Sequence, residues 1–595
     1  MILPLFIWKP RPFMLCGWLF LFASVSFAQT TISSIEIIGN SNFSQRDLLE
    51  KIPSKIGSPF SSFSQSLTVL KEIYRTEGFY TFTIDSTVSQ LSEDTAKVGI
   101  KIYLSERQRT LISEIKISGN NSFPTKELLI VLESSSGSPA NAALLESDIR
   151  SILDYYSRRG YPFVKIHSDS IHMDPADSSK LIIQLNIEEG SKVLLNEIQV
   201  EGNSSTSSAV VVREARMENG EVFNQDKLEK IQRRLERLQL FSSVSEPQLY
   251  INSGATGDTL YGGLRITVKE GNTNTFDGII GYIPATIPNT DGYFTGNVFV
   301  AMRNLFGTGR KALIKWQRET ETTQELELQY REPWLFGVPF SIGGTFFQRK
   351  QDSSYVKTKI EARGEYAISE ELSVAGNISS ESVYPSSNVT KFTVFESNAL
   401  LFGGEILYDT RDNLQNPTNG VKYSTTVQQG MKNITGPQQF LFLASGTSFS
   451  IQKYTLDAEA YVSPFNRQVI MIGVHGKQIS SSQLEVSDLF QFGGATTLRG
   501  YRENQFFANQ IAYINVEYRF LTGRASSFFG FVDAGYFSRP ADPLRLIIHQ
   551  EKRLYGFGLG ARIETGLGIL NISYALGQGD SFSNGKIHVG IINEF

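Results

Sequence analysis

A single cysteine in 595 residues leaves no disulfide framework, thiolate metal centre or dithiol chemistry to build on. That residue, Cys16, sits in an apolar run over residues 13–22, behind Lys9 and Arg11 and ahead of Ser26-Phe27-Ala28. A basic start, a short apolar run and a small-residue exit predict a secretory signal peptide over residues 1–28, cut after Ala28. The mature chain then carries no thiol, although an exported compartment would permit disulfides. The run is too short for a membrane-spanning helix, and no other stretch approaches eighteen apolar residues. If the protein is integral to a membrane it must cross with strands, because only helices and closed barrels satisfy every backbone polar group in lipid.

Enzyme signatures are missing too. There is no Gly-x-Ser-x-Gly elbow, no phosphate-cradling Walker loop and no His-Glu-x-x-His helix. Of the five histidines, at 167, 172, 475, 549 and 588, only His167 and His172 lie close in sequence, and they flank a polar stretch expected to face solvent. Asp409-Thr410-Arg411-Asp412-Asn413 has the outline of a calcium loop, but an arginine stands where a third-position oxygen ligand is required. No metal, cofactor or catalytic residue is expected. A formal net charge of -4 gives no nucleic-acid footprint. Charged residues at 19% with aromatics at 12% suit a barrel with aromatic girdles better than a soluble enzyme.

What the chain does contain is repetition. Ile35-Glu36-Ile37-Ile38-Gly39-Asn40 recurs as Ile115-Lys116-Ile117-Ser118-Gly119-Asn120 and as Ile198-Gln199-Val200-Glu201-Gly202-Asn203, a period of about eighty residues. Each Gly-Asn closes a short strand with turn chemistry. A short helix follows, beginning near Ser44 and Pro124 in the first two copies, then a longer amphipathic helix. Its apolar stripe is Leu67, Leu70 and Tyr74 in the first copy, Leu145, Ile149, Ile152 and Tyr156 in the second, and Leu228, Ile231, Leu235 and Leu238 in the third. Gly78 and Gly160 stop the first two helices; the third lacks the glycine. Two strands complete each unit, ending at Glu106, Glu189 and Glu270, so the order is strand, helix, helix, strand, strand. The predicted boundaries are 31–108, 109–191 and 192–271. A basic row on the third long helix, Lys227, Lys230, Arg233, Arg234 and Arg237, reads foremost as a solvated face, with a lipid-headgroup or partner surface as the alternative.

Beyond Thr275 the texture changes to short alternating segments rich in Gly, Tyr and Phe, defining a second region at 275–595. In Asn515-Val516-Glu517-Tyr518-Arg519-Phe520 the period of two puts Asn515, Glu517 and Arg519 opposite Ile514, Val516, Tyr518 and Phe520. Asp533 likewise lies opposite Val532, Ala534 and Tyr536. An apolar face backed by a charged one is the pattern of a strand with lipid outside and water inside, which turns Glu517 and Asp533 into a lumen. Arg499, in Leu498-Arg499-Gly500-Tyr501, is either their partner there or an arginine of an exposed loop. The last segment places Ile587, Val589, Ile591 and Phe595 on one face. Closure of a barrel requires it to pair with the first strand, near Phe276, Gly278, Ile280 and Tyr282, where Gly278, Gly281 and Gly590 would weaken the seam.

Leu498-Arg499-Gly500-Tyr501, Asn-x-Glu-Tyr-Arg, Phe531-x-Asp533-x-Gly535, Asp409-Thr410-Arg411-Asp412 with Pro417 and Gly420, Asn304-Leu305-Phe306-Gly307-Thr308-Gly309 and Tyr330-Arg331-Glu332-Pro333-Trp334 together resemble the outer-membrane assembly and translocation superfamily (BamA/TamA-like). The three repeats resemble its polypeptide-transport-associated (POTRA) domains. The resemblance implies α+β POTRA repeats followed by a transmembrane antiparallel β-barrel of about 16 strands, which the remaining length accommodates. It implies that the 499 loop folds back inside the barrel, with Arg499 engaging Glu517 and Asp533. It further implies an outer-membrane insertase or translocase with its repeats in the periplasm, and clients that are unfolded outer-membrane or exported proteins. Membrane lipid and periplasmic or lipoprotein accessory subunits join these as partners, and nucleic acid does not. A two-partner secretion transporter and a passive outer-membrane channel are the alternatives. Three repeats lean toward the translocation and assembly module subunit and away from the central assembly subunit.

Overall fold

The computed structural model describes residues 30–91, 97–256, 258–283, 293–386, 392–414, 416–523, 526–565 and 568–592. The expected signal peptide with Cys16, and the terminal Phe595, lie outside the described residues. Two compact units divide the chain at Lys192 and Val193.

The first unit holds two copies of one fold. In the first, β1 (Thr31–Ile38), α1 (Gln45–Lys51), α2 (Phe63–Thr76), β2 (Thr83–Leu91) and β3 (Lys97–Ser105) form a sheet of order β1-β3-β2 under two helices. In the second, β4 (Leu111–Ser118), α3 (Thr125–Ile130), α4 (Ala142–Ser157), β5 (Lys165–Asp174) and β6 (Asp177–Glu188) form the order β4-β6-β5. The central strand runs parallel to the first and antiparallel to the last in each. Leu70, Tyr74, Ile152 and Tyr156 are fully buried, as the helical stripes require; burying each such side chain contributes about 1.5–3 kcal/mol.

The recurring Gly-Asn has a specific cause. Gly39 and Gly119 take φ of +99° and +78°, and a Cβ on either would collide with the carbonyl of Leu104 or Ile187. The following Asn donates its amide to the carbonyl three residues on, Asn40 to Phe43 and Asn120 to Phe123, both at 2.9 Å. The glutamate that ends each unit then closes the turn. Glu106 accepts from the Ser41 hydroxyl at 2.6 Å, the Asn42 N–H and the Tyr74 phenol at 2.7 Å. Glu189 accepts from Ser122 and from the Tyr156 phenol, each at 2.8 Å.

The second unit begins with the third copy: β7 (Lys192–Glu201), α5 (Ser208–Ala215), β8 (Glu221–Val222), α6 (Gln225–Arg237), β9 (Phe241–Val244), β10 (Gln248–Thr256) and β11 (Thr259–Glu270). It departs from the expected five-element order in two places. Val222 stands where Pro59 and Pro139 stand in the earlier copies, and where those prolines make a single isolated bridge, Glu221 and Val222 pair with Leu195 and Leu194 as the short strand β8. Pro247 falls between β9 and β10, both of which pair with β11. The missing glycine after α6 is replaced by Gln239, which adopts the same left-handed conformation at φ +57°. Leu235 takes the place of Tyr74 and Tyr156, so Glu270 accepts from Thr206 and Ser205 without a phenol.

Sixteen strands follow, each antiparallel to its neighbour. They are β12 (Asn274–Ile283), β13 (Tyr293–Leu305), β14 (Arg310–Arg318), β15 (Gln324–Glu332), β16 (Phe340–Gln351), β17 (Tyr355–Ala367), β18 (Leu372–Pro385) and β19 (Glu396–Asp409). Then come β20 (Gly420–Gly436), β21 (Ser448–Phe465), β22 (Gln468–Ser480), β25 (Gln510–Leu521), β26 (Ser527–Arg539), β27 (Gln550–Thr565), β28 (Gly568–Gly577) and β29 (Lys586–Ile592). A small hairpin of β23 (Phe490–Phe492) and β24 (Phe506–Ala508) lies in the loop between β22 and β25.

This sheet is curled. Arg545, between β26 and β27, donates from Nε to the Thr393 carbonyl, between β18 and β19, at 2.8 Å. Flat, strands six places apart would be separated by about 29 Å. One face turns inward and the other out, with Ile511, Tyr513, Asn515, Glu517 and Arg519 buried while Ile514, Val516, Tyr518 and Phe520 are exposed. Among the described residues β12 and β29 stand at the two ends of the strand order with no ladder joining them. No helix among the described residues is long and apolar enough to cross a membrane.

Candidate functional site: the lumen loop and the seat of the third repeat

The loop over residues 481–509 folds inward and presents Arg499 to the wall made by β25, β26 and β27. The guanidinium forks onto Asp533, Nε to Oδ2 at 2.8 Å and Nη2 to Oδ1 at 2.7 Å, while Nη1 donates to Glu517 at 2.5 Å. Its own backbone N–H also donates to Asp533 at 3.0 Å. The Phe531 ring lies beneath the guanidinium, 3.6 Å from centroid to carbon. All three charged groups are buried, Asp533 fully so. Charge-assisted, forked bonds of this kind are the stronger class of hydrogen bond, and the ring adds a cation–π contact. Arg499, Glu517 and Asp533 therefore meet, and Arg499 is buried and not part of an exposed loop.

The other motif residues explain how the loop seats. Gly500 has φ +92°, and a Cβ there would lie 2.6 Å from the Gly577 nitrogen. Its N–H donates to His588 Nε2 at 3.2 Å. Tyr501 donates to the Tyr555 carbonyl at 3.1 Å and accepts from the Gln578 N–H at 3.2 Å. Leu498 is buried with Phe492, Tyr513 and Phe537. Three further residues take part, of which Arg519 already shares the charged face with Glu517 by alternation. Arg519 and Arg562 share the second Glu517 oxygen at 2.8 and 3.0 Å, and His588 receives Gly500. Arg519 was visible by parity, two residues from Glu517 on the same face; His588 alternates with Val589 and follows from the same rule.

The seam residues are placed in part. Phe276 and Val589 face outward; Gly278, Ile280 and Tyr282 pair with Val298, Gly296 and Phe294 on β13, and Ile591 with Leu570 on β28. Phe595 lies outside the described residues.

Three other sequence tags converge on the third repeat. The β13–β14 turn receives it through the Ser207 N–H to the Gly307 carbonyl, Asn304 to the Thr206 hydroxyl and Arg213 to the Thr308 carbonyl, each at 2.8 Å. From the turn after β15, the Trp334 indole donates to Glu214 at 2.6 Å. Arg237 donates to the Asp409 carbonyl at 2.7 Å, beside the Arg411–Asp409 ion pair, and Arg234 meets Glu370 at 3.0 Å. This corrects the solvated-face reading for two of the five residues in the basic row: Arg234 and Arg237 dock the repeat onto the strand turns, because α6 turns that edge toward Glu370 and Asp409, while Lys230 and Arg233 stay exposed. Burial pushes the Glu214 carboxyl above the usual range, outweighing the Trp334 hydrogen bond and the nearby Arg213, Arg216 and Arg234 that act in the opposite direction.

An antiparallel sheet curled around charged side chains, apolar outside and crossed by an inward loop, defines a transmembrane β-barrel preceded by modular repeats. A family model described as "Omp85 superfamily domain" matches residues 304–595, and one described as "Surface antigen variable number repeat" (POTRA) matches residues 30–107, 110–190 and 193–271. The chain belongs to the outer-membrane assembly and translocation superfamily, Omp85, with three POTRA repeats. It is 26% identical over 342 residues to the outer membrane protein assembly factor BamA of Neisseria meningitidis, covering 55% of this chain and 41% of that one. It is 24% identical over 402 residues to the protein of the same name from Nitratidesulfovibrio vulgaris, covering 63% and 47%. The chain thus spans less than half the length of these curated relatives. Among solved structures, BamA from Haemophilus ducreyi lacking POTRA domains 1-3 aligns with TM-score 0.48 and 16% identity, over 80% of this chain and 98% of that one.

Proposed function

We propose that this is an outer-membrane insertase or translocase, with its repeats in the periplasm, that receives unfolded protein clients and assists their entry into or passage across the membrane. The observation that carries the reading is a 16-strand sheet whose end strands, β12 and β29, have no ladder between them among the described residues. An unpaired strand edge offers its N–H and C=O groups to an extended client segment without reading its sequence, so that a nascent strand is never left unpaired in lipid. The edges β2 and β5 of the first two repeats offer the same recognition before the membrane is reached. The curated relatives named as assembly factors support this reading. The mechanism needs no nucleotide, metal or enzymatic step, and lipid and accessory subunits are its remaining partners.

Cysteine pairs that lock β12 to β29 test it. Oxidised, they are expected to stop client insertion while the chain itself stays folded, and reduction is expected to restore it. Depletion should lower many outer-membrane proteins together in a proteomic census. Unchanged insertion in the locked form would exclude templating at this seam, and bilayer conductance without any change in outer-membrane protein levels would favour a passive channel.

A further inference from the structure

The lumen loop is held at a second place, by charges of the opposite sense. Eleven residues before Arg499, Asp488 takes the Lys432 ammonium of β20 at 2.5 Å, both side chains buried. The neighbouring Ser487 carbonyl accepts from Lys357 of β17 at 3.0 Å, and Glu485 meets Arg545 at 2.6 Å. On this wall Lys357 and Lys453 also share Glu381, at 3.1 and 2.5 Å. Three ammoniums and the Arg545 guanidinium therefore face three carboxylates, two of which, Asp488 and Glu485, belong to the loop. At the other end the wall supplies carboxylates and the loop supplies the cation. The loop is polarised end to end, and reversing it would set Asp488 against Glu517 and Asp533.

The two anchors differ in kind. Arg499 is gripped by a forked pair, a second carboxylate, its own backbone N–H and an aromatic face. Asp488 holds one ammonium and the Glu485 N–H at 2.8 Å. A lysine is a compact point charge on a flexible stem, whereas an arginine fork is geometrically specific. We infer that Lys432 and Lys357 are positioning residues that latch the acidic end of the loop, with Arg499 as its fixed hinge, and that releasing the latch opens the lumen. This goes beyond the insertase reading, since the latch is tested with no client present.

The test uses the full chain in planar bilayers. Lys432→Met and Asp488→Asn are each expected to raise the open fraction of the pore about tenfold, the scale of one lost charged hydrogen bond. Heat-modifiable migration in gels should stay normal, because Arg499 still holds. The reversed pair Lys432→Asp with Asp488→Lys should return conductance toward that of the parent. Ser487, buried and with a hydroxyl that makes no hydrogen bond among the described residues, supplies a second readout. A single cysteine there should react with a membrane-impermeant maleimide about tenfold faster in the Lys432→Met background. Should Asp488→Asn fail to fold, Glu485→Gln, which removes the charge that faces Arg545 at the same end of the loop, is expected to raise the same labelling rate. Parental conductance and labelling in the folded single variants, or a reversed pair no closer to the parent than they are, would overturn the latch.

Discussion

Arg234 and Glu370 are 136 residues apart in sequence, yet the guanidinium Nε donates to the carboxylate at 3.1 Å. The same arginine donates to the Glu214 and Ala215 carbonyls at the C-terminal end of α5, where a cation also suits the helix dipole. One side chain thus binds both helices of the third repeat to a turn of the barrel. With Arg237 on Asp409 and Trp334 on Glu214, it makes the repeat part of the barrel's base.

Arg234→Ala is expected to cost more than Glu370→Gln, because it also strips the end of α5 of its donors. In a double-mutant cycle the coupling should be about 1–3 kcal/mol, less than a fully buried pair because both groups keep some exposure. Hydrogen exchange across α5 and α6 in the intact protein reads it, and strictly additive effects would show that the contact contributes nothing to docking.

Arg499→Ala leaves Glu517 and Asp533 buried without their shared cation, a change that costs about 3–5 kcal/mol for pairs of this burial. Arg499→Lys is expected to behave nearly as badly, because an ammonium cannot fork across Asp533 while reaching Glu517. Export should persist in both. The measurement is the temperature at which heat-modifiable gel migration is lost, with protease access to residues 481–509; a lysine variant as stable as the parent would contradict the fork.

Much of this was legible because period and punctuation are local. Alternation alone placed Glu517 and Asp533 inward, and Gly39, Gly119 and Gly202 marked three turns that only glycine tolerates. The latch was not legible, since Lys432 and Asp488 carry no pattern that distinguishes them from other lumen charges, and their meeting depends on how a loop crosses the barrel. The basic row divides: Lys230 and Arg233 face solvent as a polar helix face suggests, but an amphipathic pattern does not say that Glu370 and Asp409 stand opposite Arg234 and Arg237. Strand β8 adds one rung, Leu195 with Glu221, to a bridge that the earlier copies make at Pro59 and Pro139, and no residue pattern marks that addition.

Glu214→Gln is expected to leave the third repeat seated or to tighten it. Its folded pKa is raised, chiefly by burial, so the charged form is disfavoured and stability is lost as pH rises through that value. A neutral amide keeps an acceptor for the Trp334 indole and removes the cost of burying charge. Trp334 fluorescence during chemical unfolding checks this, and a marked loss of stability in Glu214→Gln would show that the carboxylate charge is needed.

Glu106 predicts the opposite response to pH. Burial pushes its carboxyl upward, but hydrogen bonds from Ser41, Tyr74 and Asn42 outweigh that and hold it below the usual carboxylate range. Tyr74 is pushed up by burial and then by Glu106, so the phenol stays a donor across the working range. A depressed acid adds stability above its unfolded pKa of about 4.3 and loses it as pH falls through the folded value. Protection of the Asn42 amide, which donates to Glu106 at 3.0 Å, should therefore survive below the unfolded pKa of an ordinary glutamate and collapse, with the turn that follows Gly39, only as pH falls through the lowered folded value. Glu106→Gln should weaken that protection at neutral pH and flatten its acid dependence, because an amide cannot ionise. If exchange at Asn42 in the parent tracks that of an ordinary surface glutamate's neighbour, titrating near the unfolded value, then the carboxylate does not hold the turn and the glutamate that closes each repeat is only a strand end.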